Sequence, residues 1–469
     1  MQGNIMRENR MRKKCYIFVL ILLVVWLCQS FFFTPMVYSD PENTEVPERQ
    51  LAPETTIEPR TTILPRNIVV PNSTPTPDTP EDANTSARDA GDADEGTPVL
   101  DVSATNIGGL NFGFSMYAQA SVLVDADSGK VLAQKNKHVP YPVASIVKVM
   151  TMILVMEDVE AGVISLSDIV TVSANAASIG GSRVWLTQGE TFTVEELLRT
   201  VAIRSANDSC VALAEHLAGT EEAFVQRMNQ KAQEMGLANT VFVDSTGLND
   251  RDQHSSAYDV AMMSRYLIFN HPEIKEYMGM VEYFFRDGTM EIRNTNHLLE
   301  HYEGMYGIKT GTTNRSGHCL VAGAIRGDMH LISVVLGCRR IPDTRFRDTR
   351  NILDFGFANF ENVRLATAGD LVGERITLRK AVRPDAEVVH RDDFVDMMVR
   401  GRRENIRTQI VVFEDLEAPM QARDKVGEVK FLDGDGEVIA VQDLVLAYEV
   451  RRATWWELFK ELWRQWLMP

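Results

Sequence analysis

Apolar positions recur at offsets of three and four from Ser145 to Glu160, Val194 to Ile203, Asp208 to Leu217, Glu221 to Met235 and Ala257 to Phe269. That spacing predicts helices with one buried face. Before them, Ala120 to Ala126 is a β-rich run, Asp127-Ser128-Gly129 a turn, and Lys130 to Gln134 a returning strand,. After them, Cys319–Ile325 and His330–Leu336 read as strands and Thr344 to Phe360 as a last helix. Strands at both ends enclosing a helical middle predict one mixed α/β domain over 113–360. The pattern then shortens. Alternating runs at Arg375–Leu378, Val388–His390, Thr408–Val412, Glu428–Leu432 and Val438–Ala440 are separated by turn signals such as Asp433-Gly434-Asp435-Gly436. They predict a small all-β domain over 361–452.

The two ends differ from both domains. Arg7, Arg10, Arg12, Lys13 and Lys14 precede an apolar run that reaches Phe33. Residues 1–39 therefore read as an export signal cleaved before Asp40, or as a retained N-terminal anchor. Ten of the 18 prolines fall between Asp40 and Leu100, among Thr, Asp, Glu and Asn. Residues 40–112 read as an acidic linker with too little apolar surface to offset its ordering entropy. In 453–469, Trp455, Trp456, Leu458, Phe459, Leu462, Trp463, Trp466 and Leu467 share one helical stripe opposite Glu457, Lys460, Glu461 and Arg464. Such a helix, rich in tryptophan and too short to span, is expected to lie on a membrane surface.

Composition narrows the class. The chain of 469 residues has a net charge of −17 and a pI near 5.1, which argues against a general nucleic-acid binder,. Five cysteines, two of them in the N-terminal apolar run, rule out a disulfide scaffold, and Cys210, Cys319 and Cys338 read as buried free thiols,. None of the nine histidines has H-E-x-x-H spacing, so no metal or other cofactor is expected,.

Three short motifs carry chemistry. In Ser145-Ile146-Val147-Lys148 the spacing of three puts serine and lysine on one helix face,. A neutral amine there can serve as the serine's base, which requires desolvation and a nearby positive charge to lower its pKa. Ser205-Ala206-Asn207 joins two apolar helical runs and is a rigid mount for polar groups, unlike the copy Ser173-Ala174-Asn175 in a polar stretch,. In Lys309-Thr310-Gly311-Thr312, small residues let a substrate backbone pair along an edge strand, and Lys309 offers charge to a carboxylate,.

Together with Asp244-Ser245-Thr246-Gly247-Leu248 and Arg293-Asn294-Thr295-Asn296-His297-Leu298-Leu299, these segments resemble the penicillin-binding D-alanyl-D-alanine carboxypeptidases. The resemblance covers about 115–360, and more weakly the β domain. It implies an antiparallel sheet flanked by helices, Ser145 as acylated nucleophile, Lys148 as its base and Ser205 as proton relay. Asn207 would hold the substrate amide. Lys309, Thr310 and Gly311 would line the carboxylate end of the substrate, and the N–H groups of Ser145 and Thr312 would form an oxyanion hole. Arg345, on one loose match, either assists the carboxylate or is a surface arginine. The implied partners are a peptidoglycan stem peptide and β-lactams as acylating inhibitors, at the outer face of the cytoplasmic membrane. A DD-endopeptidase is the alternative. A β-lactamase of the kind that needs a glutamate beyond the second motif is disfavoured, because Asn239–Ser256 contains none. A β-lactam sensor is disfavoured by the lack of a multi-span segment.

Overall fold

The computed structural model describes residues 110–467, apart from Asp250, Arg403, Glu404 and Asp435. The signal and most of the linker lie outside the described residues. The chain runs through β1 (Leu110–Asn111), β2 (Ala120–Asp125) and β3 (Val131–Lys135) to a 3-10 turn at Ala144–Val147, which leads into α1 (Lys148–Glu160). A mainly helical block follows: β4 (Ile169–Thr171), α2 (Ala174–Ser178), β5 (Thr191–Thr193), α3 (Val194–Ile203), α4 (Asn207–Ala218), α5 (Glu221–Glu234), α6 (Ala257–Asn270) and α7 (Ile274–Gly279). The hairpin β6 (Glu282–Phe285) and β7 (Met290–Arg293) and the short α8 (Leu298–His301) return the chain to the sheet. There it forms β8 (Met305–Thr313), β9 (Gly317–Arg326) and β10 (Met329–Cys338), followed by α9 (Thr344–Asn359).

The strands order as β1-β3-β2-β10-β9-β8, antiparallel except for the short β1–β3 pair. Both faces of the sheet are covered, which is why its strands read as unbroken apolar runs. Val122, Val124, Ile332 and Val334 face the core shared with α1, α3, α4 and α6, while Leu123, Leu331 and Val335 face Ile352, Leu353 and Phe355 of α9. β8 is left as an edge strand against the helical block.

The sequence pattern misses the small hairpin β6–β7 and the pair β4–β5. It also starts the first helix at Ser145, where the structure has a 3-10 turn with α1 beginning at Lys148. Ala144 sits there at φ +49°, so the chain enters the helix through a bend rather than a regular first turn.

The C-terminal part contains β11 (Phe360–Ala366), β12 (Leu371–Thr377), β13 (Asp385–His390), β14 (Phe394–Val399), β15 (Arg407–Val412), β16 (Lys425–Leu432) and β17 (Val438–Leu446). Five of these strands form a sheet ordered β12-β13-β17-β16-β15. The pair β11–β14 joins it to the first domain: Phe360 and Met397 enter the α9 core, and Lys130 Nζ binds Asp396 at 2.7 Å and the Met397 carbonyl at 2.9 Å. The last element is α10 (Trp455–Leu467), whose Trp455, Trp456, Leu462 and Trp466 are all more than half exposed.

Candidate active site

Ser145 is half-buried in the 3-10 turn, and Lys148, three residues on, is fully buried as the first residue of α1. Lys148 Nζ lies 3.1 Å from Ser145 Oγ, 2.7 Å from Asn207 Oδ1 and 2.5 Å from the Thr246 carbonyl oxygen. Burial pushes the Lys148 ammonium down to about 8, against the opposing pull of Asp244, Asp208 and Glu221,.

Arg204, Ser205 and Ala206 connect α3 to α4. Ser205 holds φ +63°, a left-handed conformation unusual for a residue with a Cβ,. Its Oγ is buried and finds no hydrogen-bond partner among the described residues. Asn207 is fixed on both sides of its amide: Oδ1 accepts from Lys148, and Nδ2 donates to the Gly180 carbonyl at 2.7 Å. The next residue, Asp208, accepts from the N–H groups of Val184 and Leu186 and holds that loop against α4. The copy Ser173-Ala174-Asn175 stands elsewhere. Ser173 caps α2, and Asn175 donates to Glu215.

β8 supplies the opposite wall. Lys309 is buried, and its amine donates to the Thr310 carbonyl at 3.3 Å. Burial first, and the charges of Lys148 and Arg345 next, push it well below the usual lysine range. The two buried amines act on one another, since a charge on either disfavours a charge on the other,. Thr310 Oγ1 meets Thr295 Oγ1 at 2.6 Å. A Cβ on Gly311 would come within 2.5 Å of the Val143 carbonyl and 3.3 Å of the Ser145 nitrogen, so only glycine lets β8 lie against the nucleophile's turn,. Thr312 is exposed beside them. Arg345 is half-buried rather than a surface residue: its Nη1 donates to Thr312 Oγ1 at 2.8 Å and to the Gly311 carbonyl at 3.3 Å.

The structure therefore puts Ser145, Lys148 and Asn207 in direct contact and lays the Lys309–Thr312 stretch of β8, with Arg345 bonded to it, against the Ser145 turn, while Ser205 stands two positions before Asn207. Sequence reasoning gave no role to Asp244, Thr246 and Gly247. Asp244 accepts from the N–H groups of Thr246 at 2.8 Å, Gly247 at 2.5 Å and Asn249 at 2.6 Å. Burial alone would raise its carboxyl, but those amides hold it below the usual carboxylate range. Gly247, at φ +89°, leaves no room for a Cβ, which would collide with the Ala144 carbonyl. The signal was present, because Asp-Ser-Thr-Gly is a turn sequence.

Cys210, Cys319 and Cys338 are all buried, and Cys210 and Cys338 are free thiols. His297 stacks on Phe346 with ring centroids 5.1 Å apart and lines an open hollow of about 680 Å³ beside Asp343, which none of the nine candidate residues lines. Among the described residues, no cluster of His, Cys, Asp and Glu is arranged to hold a metal.

Residues 110–340 match the family model for D-alanyl-D-alanine carboxypeptidases, and 360–452 match that for the penicillin-binding protein 5 C-terminal domain. The D-alanyl-D-alanine carboxypeptidase DacF of Bacillus subtilis is 36% identical over 74% of this chain and 90% of its own length. The chain belongs to the D-alanyl-D-alanine carboxypeptidase family. Escherichia coli DacA, a carboxypeptidase of the same description, is 33% identical over 71% of this chain and 83% of its own. The crystal structure of penicillin-binding protein 5 from Haemophilus influenzae superimposes with a TM-score of 0.65 at 30% identity, covering 73% of this chain and 99% of that one. A serine-type carboxypeptidase, a hydrolase, is the enzyme class this membership carries.

Proposed function

We propose that the enzyme removes the terminal D-alanine from peptidoglycan stem pentapeptides through an acyl-enzyme on Ser145. The supporting observation is the set of acceptors around Lys148. A neutral amine has two N–H bonds and one lone pair. With Asn207 Oδ1 and the Thr246 carbonyl taking the two N–H bonds, the lone pair faces Ser145 Oγ. The Oγ–H proton passes to Lys148 as Oγ bonds the carbonyl carbon of the penultimate D-alanine. The oxyanion is met by the N–H groups of Ser145 and Thr312, a type of contact worth about 3–4 kcal/mol each. The C–N bond then breaks as Ser205 gives its proton to the departing amine and takes up the one held by Lys148, which is neutral again. Water repeats the sequence: Lys148 takes its proton, hydroxide attacks the ester, and Ser145 leaves with a proton.

The substrate backbone pairs along the open edge of β8, and its carboxylate meets Lys309, Thr310 and Arg345. Asn207 Nδ2 holds the substrate amide after exchanging the Gly180 carbonyl for it. β-Lactams acylate the same serine. The basic flank and apolar run at the N-terminus support export, and the exposed tryptophans of α10 support seating on the outer face of the membrane,. Among the described residues no helix is long and apolar enough to cross a membrane.

The test is to give the purified protein a pentapeptide ending in D-Ala-D-Ala and, separately, a cross-linked dimer. Free D-alanine from the pentapeptide, lost in Ser145→Ala, is expected. Cleavage confined to the dimer would replace this reading with that of an endopeptidase.

A further inference from the structure

The turn Asp244–Gly247 is held from four directions. Asp244 ties it internally. The Ser245 carbonyl accepts from Thr151 Oγ1 of α1 at 3.4 Å and from Cys210 Sγ of α4 at 3.0 Å. The fourth tie is Glu221, the first residue of α5. One of its carboxylate oxygens, Oε1, accepts both the N–H of Ser245 at 3.0 Å and the hydroxyl at 2.6 Å. Ser245 is fully buried, so neither donor has water as a substitute,. Glu221 makes no hydrogen bond to Ser145, Lys148 or Asn207. The turn it grips carries the Thr246 carbonyl, one of two acceptors that orient the Lys148 amine.

We propose that Glu221 is a positioning residue: by gripping Ser245 it fixes the Thr246 carbonyl, and through it the direction in which Lys148 faces Ser145. The inference rests on the reading of Lys148 as the base. A carboxylate at a helix start also favours the helix dipole, and its charge acts on Lys148 whether or not it grips the turn,. The structural use needs the charge and the grip needs an acceptor, so Glu221→Gln separates the two. Lys148 is faced by Lys309 from β8, Asp208 and Cys210 from α4, Asp244 from the turn and Glu221 from α5. Removing the Glu221 charge leaves burial less opposed.

The experiment uses the full chain and reads acylation by a fluorescent penicillin across neutral and alkaline pH, with thermal unfolding as the check on folding. Glu221→Ala loses acceptor and charge. Its limiting acylation rate is expected to fall roughly 10- to 100-fold, the scale of a sub-ångström to ångström misplacement, and its pH limb to move. Glu221→Gln keeps an acceptor, so most of the rate returns, while the limb shifts to lower pH. Should the alanine variant fail to fold, Ser245→Ala deletes one of the two bonds and is expected to lose several-fold in rate. A wild-type limiting rate in a folded Glu221→Ala, with or without a moved limb, or a wild-type rate in Ser245→Ala, overturns the proposal. A flat pH dependence in the unaltered enzyme instead removes Lys148 as base, and the proposal with it.

Discussion

Lys148 Nζ lies 2.5 Å from the carbonyl oxygen of Thr246, 98 positions further along the chain. The pairing matters because the carbonyl can only accept. It must take an N–H from the amine whatever the protonation state, and so it removes one orientation in which the lone pair would miss Ser145.

Acylation by a fluorescent penicillin is expected to rise with pH along a limb centred near 8, where burial places Lys148. The sign follows from the base: the ammonium below that value has no lone pair, and the neutral amine above it does. Lys148→Arg is expected to be nearly inactive, because a guanidinium stays charged. An active arginine variant, or a limb centred on the ordinary lysine value, refutes this assignment.

Ser145→Ala is expected to abolish labelling while leaving the thermal midpoint close to wild type, since the side chain is half-buried and its removal deletes one hydroxyl. Mass spectrometry should place the adduct on Ser145. An adduct on Ser173, which caps α2, or on Ser205 would contradict the geometry.

Gly247→Ala must adopt φ +89° and push a methyl into the backbone carbonyl of Ala144. Strain of this kind costs about 1–3 kcal/mol, and the turn cannot retreat without moving the Thr246 carbonyl. Both a lower unfolding midpoint and slower acylation are expected, measured by calorimetry and by penicillin labelling. A fully active alanine variant would show that the close approach is dispensable.

Arg345→Ala is expected to raise KM for the pentapeptide roughly tenfold or more, the loss of a hydrogen bond to a charged group being worth about 1.5–3 kcal/mol. Steady-state kinetics with the free acid and with a C-terminal amide separates the causes. The variant should lose its preference for the acid. An unchanged preference assigns Arg345 to holding Thr312 alone.

Flotation with anionic vesicles tests α10. A chain beginning at Asp40 is expected to float, and one that also ends at Val450 to remain in the soluble fraction. If both float equally, the contact lies elsewhere.

Much of this was legible in the sequence, for stated reasons. The helices over Val194–Ile203 and Ala257–Phe269 follow periodicity, because each turns one face to the core, and the strands Cys319–Ile325 and His330–Leu336 read as apolar runs because both faces of the sheet are covered,. The pair Ser145 and Lys148 follows from a local spacing of three. What escaped was either too short or too distant. β4 to β7 are three or four residues long and too brief to show a period. The grip of Glu221 on Ser245 joins residues 24 apart, and that of Thr246 on Lys148 joins residues 98 apart. Neither pairing leaves a trace in local pattern, although Asp-Ser-Thr-Gly announced the turn itself. Arg345 was ambiguous because its exposure depends on where α9 meets β8, which only the folded chain decides.

Ser205 combines a left-handed backbone with a buried hydroxyl that has no partner among the described residues. The enzyme thus holds a conformation it would not choose for its own stability. Glycine at this position would relieve the backbone and delete the orphaned hydroxyl, at the cost of about 0.5–1 kcal/mol in added chain freedom when unfolded. Ser205→Gly should therefore melt a few degrees higher than wild type while turning over less substrate. A chain selected only to persist would have drifted to glycine here, so the serine marks a place where durability has been traded for turnover.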